Sequence, residues 1–62
     1  MQVVVTHVSI PAMSTLGYGV GTSPDGATIR FVGDHRPMRS LNAAVAAGDA
    51  PTVDLEPWQI LP

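Results

Sequence analysis

Apolar and polar positions alternate with a period of two through the middle of the chain. Leu16, Tyr18, Val20 and Thr22 alternate with Gly17, Gly19 and Gly21, the spacing of a strand rather than a helix. Ser23-Pro24-Asp25-Gly26 follows and supplies turn chemistry: Pro24 pre-sets φ near −65°, Asp25 tolerates a turn conformation, and Gly26 accepts the positive φ that ends many such loops. Residues 27–33 alternate again, with Ile29 and Phe31 on one face and Thr28, Arg30 and Val32 on the other. Two β-rich runs joined by a glycine-containing loop predict a hairpin over residues 16–34. The rest of the chain has to pack on it.

Residues 3–10 predict a first strand rich in β-branched side chains. Its faces carry Val3, Val5, His7 and Ser9, and Val4, Thr6, Val8 and Ile10. Apolar residues on both faces imply burial on both sides or an edge that pairs with another chain, and self-association through this edge is the expectation. Pro11 ends the strand, and residues 12–15 connect it to the hairpin. Gly33-Asp34-His35-Arg36-Pro37 predicts a turn into a helix of about ten residues, with Pro37 in the first turn, where its missing N–H costs nothing. Ser40 is an alternative cap with a later start. Met38, Leu41, Ala44 and Val45 form a narrow apolar stripe, and Gly48 suits the left-handed stop. Residues 52–61 predict one last strand, with Val53 and Leu55 alternating with Asp54 and Glu56. Pro57 puts that strand at an edge or in a bulge, past which Trp58 or Ile60 turns inward.

The fold expected is mostly β: one domain over residues 1–62, a small SH3-like open barrel of four to five antiparallel strands with one short helix. His7, Gly17-Tyr18-Gly19-Val20, Ile29-Arg30-Phe31 and Arg39-Ser40-Leu41, in this order over the first two-thirds of the chain, resemble the small Tudor or SH3-like modules of UvrD-type helicases and CarD-type transcription factors. The resemblance implies a binding module without catalysis that docks on RNA polymerase or nucleic acid.

Sixty-two residues bury only about 60% of their unfolded surface. With no cysteine, neither a disulfide nor a thiolate zinc site is available as a staple. Yet 45% of the residues are hydrophobic, which points to self-association or to a partner that covers apolar surface. A net charge of −2 is no footprint for strong non-specific DNA binding. Arginine without lysine, and abundant Ala, Val and Gly, resemble coding from a high-GC bacterium or phage. The first five residues lack the basic start of a signal peptide, and no run approaches the roughly 20 apolar residues of a membrane span. A cytoplasmic location and no membrane contact are expected.

Gly17, Gly19 and Gly21 strip one face of the second strand of side chains. A sharp bend of the strand, or a close crossing over another backbone as at a small-barrel corner, is the leading explanation, and a flat groove for a partner's backbone the alternative. GxGxG without a following helix is no phosphate-binding fingerprint. Asp34-His35-Arg36 reads as helix-entry chemistry in preference to acid–base work, because no nucleophile is placed by a motif. His7 has no metal-spaced companions. No catalytic residue, cofactor or metal is expected. Arg30, Arg36 and Arg39 are the only Lys or Arg cations. They form either a small nucleic-acid-binding patch, with Tyr18 for stacking, or surface pairs with Asp25, Asp34 or Glu56. Trp58 is core or a binding anchor.

The function expected is a non-enzymatic protein-interaction module that self-associates, using Tyr18, Trp58, Val3 and Val5, and regulates a larger bacterial or phage machine such as a transcription or DNA-processing complex. A weak nucleic-acid binder acting through Arg30, Arg36 and Arg39 is one alternative, and a small phage or bacterial structural subunit the other.

Overall fold

The hairpin forms in unbroken register. β2 (Leu16–Thr22) pairs antiparallel with β3 (Thr28–Asp34), from Leu16 opposite Asp34 to Thr22 opposite Thr28. In the turn the Gly26 N–H donates to the Ser23 carbonyl at 2.9 Å, and Gly26 takes φ +88°, where an L side chain is strained. The computed structural model describes residues 1–56 and 58–62; the expected edge or bulge at Pro57 lies outside the described residues.

β1 (Gln2–Ser9) pairs antiparallel with β2. The register slips by one residue at Thr6, between the pairs Val5–Gly21 and His7–Val20. This bulge explains the apolar residues on both predicted faces. One extra residue reverses the alternation, so Val3 and Val5 before it, and Val8 and Ile10 after it, all pack with the core. The Thr6 hydroxyl donates to the Val20 carbonyl at 3.2 Å across the bulge.

Two expectations are corrected. β1 is not an edge strand, because β4 (Thr52–Asp54) pairs with its first half, Val3 opposite Val53. The Val5 N–H donates to the Pro51 carbonyl at 2.8 Å just beyond. Val3 and Val5 are therefore core residues, 1% and 0% exposed, and are not available to a partner. Nor is 52–61 a single strand: it divides into β4 and β5 (Gln59–Ile60), which lie at opposite edges of a five-stranded sheet in the order β4-β1-β2-β3-β5. Five residue steps from Asp54 to Gln59 span at most about 18 Å. Four inter-strand gaps in a flat sheet would need about 19 Å with no detour. The sheet has to curl, and the result is a half-barrel of antiparallel strands with one helix, a small SH3-like open barrel.

Helix α1 (His35–Ala46) sits on the inner side. Asp34 is its N-cap and Gly48, at φ +86°, follows the C-cap Ala47. The Ala47, Gly48 and Asp49 N–H groups satisfy the carbonyls of the last turn, as such a stop requires. Met38 is fully buried, with Leu41 and Val45 beside it. Among the described residues the fully buried apolar core is Val3, Val5, Phe31, Met38 and Leu55. Each such side chain contributes about 1.5–3 kcal/mol on burial, so five make a small core.

The bare face of β2 is filled from within. A Cβ on Gly17 would lie 2.6 Å from Met38 Cγ; on Gly21 it would lie 2.6 Å from the Val4 carbonyl oxygen, and on Gly19 it would overlap the Phe31 ring. Real Cβ atoms do not approach so closely, so β2 carries glycine because core groups occupy its inner surface. The alternative of a groove for a partner's backbone has no room there. Among the described residues no helix is long and apolar enough to cross a membrane.

Candidate functional site

Trp58 connects the core to the surface. Its indole meets Phe31 edge to face, with centroids 5.9 Å apart and planes at 65°, a favoured geometry for aromatic pairs. Gly33 lets it do so: a Cβ there would be 3.3 Å from Trp58 Cδ2 and closer still to Cε3 and Cζ3. The half-buried indole is thus both core and wall. Beside it a cleft of about 320 Å³ opens between the end of β3 and the start of α1, lined by Gly33, Asp34, Pro37 and Trp58. Its walls are largely apolar. The volume falls at the small end of ligand sites and suits one or two side chains rather than a cofactor.

The polar rim of this cleft is spoken for. The Asp34 carboxylate accepts the Arg36 backbone N–H at 2.9 Å and the Arg36 guanidinium through Nε at 3.0 Å and Nη2 at 2.7 Å. The guanidinium hydrogen bonds first, then the backbone N–H, hold the Asp34 carboxyl well below the ordinary carboxylate range and raise Arg36. His35 Nδ1 lies 3.0 Å from the Thr15 carbonyl, a contact in which the ring nitrogen must donate. Each member of the Asp34-His35-Arg36 cluster therefore has a structural task at the helix entry.

Two of the three arginines are engaged within the chain. Arg36 is matched by Asp34, and the Arg30 guanidinium donates to the Pro62 carbonyl at 2.7 Å. Arg39 lies on the helix, with no ion pair among the described residues. His7 is exposed on β1, where its Nδ1 is 3.0 Å from the Thr6 hydroxyl. Among the described residues no group of three His, Cys, Asp or Glu side chains is placed to hold a metal.

Tyr18 and Trp58 do not meet. Trp58 packs over Gly33 on the inner side, whereas Tyr18 alternates with the inward glycines of β2 and projects from the outer face. Leu16 and Val20 share that outer face, together with Val4, opposite Thr22, and Val32, opposite Tyr18. Sequence reasoning singled out Trp58 but missed Gly33 and Pro37, whose residue types signal only a turn and a helix start. Of the outer row it named Tyr18 but not Leu16, Val20, Val32 or Val4 as its companions, although the glycine alternation that reverses β2 was in plain view. No protein-family model, no curated protein and no solved structure matches the chain.

Proposed function

We propose that this chain is a non-enzymatic interaction module that receives an apolar side chain from an extended segment of a protein partner in the cleft beside Trp58. One observation carries the reading. The half-buried indole and Pro37 form apolar walls, and the only ionisable wall group among the described residues, Asp34, is a carboxylate already engaged by Arg36. Such walls favour an apolar or cationic-tipped side chain and disfavour phosphate, because among the described residues no cation lines the opening. An aromatic anchor flanked by less critical contacts is the usual arrangement of a binding hot spot. Regulation of a larger bacterial or phage machine belongs to the same reading, and the Tudor or SH3-like resemblance, which implies docking without catalysis, is consistent with it.

Selection from a random peptide library displayed on phage tests it. The selected peptides are expected to share one apolar anchor and to shift the emission of Trp58, the sole tryptophan, to shorter wavelength. Pro37→Glu places a second carboxylate in the wall at a helix position that accepts Glu, and is expected to weaken binding of an uncharged anchor at least tenfold. Peptides that bind this variant unchanged would overturn the reading. Preferential binding of single-stranded DNA, falling steeply with salt, would move the site to the arginines.

A further inference from the structure

In a sheet with one solvated face the apolar side chains of each strand point inward. β2 does the reverse. Its inward positions are Gly17, Gly19 and Gly21, and its outward positions are Leu16, Tyr18, Val20 and Thr22. Leu16 and Tyr18 are 43% and 40% exposed, and Val4 on β1 adds 39%. Half-buried Val20 and Val32 make the row continuous. The register cannot slip to hide these side chains, because Met38, Phe31 and Val3 fill the space over the glycines.

The outer face also carries a charge pattern that is its own complement. Along β3 it runs Arg30, Val32, Asp34, opposite Val20, Tyr18 and Leu16 of β2. A two-fold axis across the strands at Val32 and Tyr18 turns the face onto a second copy. Arg30 then meets Asp34, Val20 meets Leu16, and Tyr18 meets Tyr18. A carboxylate has about four acceptor positions, so Asp34 can serve Arg36 of its own chain and Arg30 of the other. Strand rise and spacing give the three strands roughly 350 Å² in projection, and more as accessible surface. Two copies therefore bury roughly 700 Å² in projection and more as accessible surface, the size of a weak, reversible interface rather than a permanent one.

We infer that the outer face of β1, β2 and β3 is an isologous interface with a second copy of this chain, stacked sheet on sheet with Tyr18 at the two-fold axis. The interface shares Asp34 with the rim of the Trp58 cleft but otherwise uses the opposite side of the sheet from Trp58, and it replaces the expected pairing along β1. An extended peptide or a nucleic acid fits it less well, because the face is broad and carries one arginine.

Sedimentation equilibrium of the full chain, with wild type, Tyr18→Lys and Tyr18→Glu run separately and then mixed, tests the inference. Wild type is expected at twice the 6.5 kDa chain mass. Each variant places like charges at the axis and is expected to dissociate at least tenfold more readily, and an equimolar mixture of the two is expected to reassociate. Independently of any variant, diluting wild type is expected to move the amide resonances of Val4, Tyr18, Val20 and Val32 and to leave those of α1 in place. A wild-type monomer at millimolar concentration overturns the inference. So does a dimer whose dilution shifts fall on β4 or β5 instead, which would mark edge-to-edge pairing.

Discussion

The six-membered ring of Trp58 occupies the place that a side chain on Gly33 would take: a Cβ on Gly33 would lie 3.3 Å from Trp58 Cδ2 and nearer to two further ring atoms. Gly33→Ala must displace the indole from both Phe31 and the cleft. Overpacking of this kind costs about 1–3 kcal/mol. Urea unfolding of the variant is expected to show that loss, together with a red-shifted Trp58 emission in the folded baseline. An unshifted baseline would place the indole elsewhere.

The glycines of β2 make a graded prediction. Gly21→Ala meets a backbone carbonyl, that of Val4, which β1 holds between its neighbours. The nearest neighbours of a Cβ in Gly17→Ala are side-chain atoms alone, Met38 Cγ and Cβ and then Ile10, and methionine adapts more readily than a backbone carbonyl. Gly21→Ala is expected to be the more destabilising, toward or beyond the upper end of about 1–3 kcal/mol, and Gly17→Ala nearer the lower end. Thermal unfolding of the two variants side by side checks the order.

Met13 is fully exposed and takes φ +62° in the turn closed by the Ser14 N–H and the Pro11 carbonyl. Its side chain gains nothing from burial while the backbone carries the left-handed cost of about 1–2 kcal/mol. Met13→Gly removes that strain and gives back part of it as unfolded-state entropy. A net stabilisation of up to about 1 kcal/mol is expected in urea unfolding.

Asp34 sets an acid limit. Its carboxyl is held below the ordinary range in the folded chain by the Arg36 guanidinium and backbone N–H. A group with a depressed folded pKa stabilises the fold above its unfolded value, about pH 4, and that contribution drains away as pH falls toward the folded value. Melting temperature is expected to decline below about pH 4, and less steeply in Asp34→Asn, which keeps a capping oxygen but does not titrate. Equal slopes would show that the Asp34–Arg36 contact is not formed in solution.

Local signals carried most of the fold. The turn at Ser23 to Gly26, the glycine after α1 and the stripe of Met38, Leu41 and Val45 each specify their element within a few residues, and each was legible. What was not legible depends on pairing at a distance. The alternation of Val53 and Leu55 announces a strand, but nothing local says that the chain leaves the sheet at Leu55 and rejoins it on the far edge at Gln59. The bulge at Thr6 hides in a run of β-branched residues, and its only trace is that both faces look apolar. Of the cleft, Trp58 stood out by type, whereas Gly33 and Pro37 become walls only when β3, α1 and the segment before β5 converge.

The most direct test of the central claim, that the cleft beside Trp58 is the binding site, is amide and indole shift mapping of the ¹⁵N-labelled chain with a selected apolar-anchor peptide. The account predicts that the largest shifts fall on the Trp58 indole N–H, Gly33 and Asp34, and that Tyr18 and Val20 on the outer face stay in place. Shifts confined to the outer face, or to Arg30, Arg36 and Arg39, would contradict it.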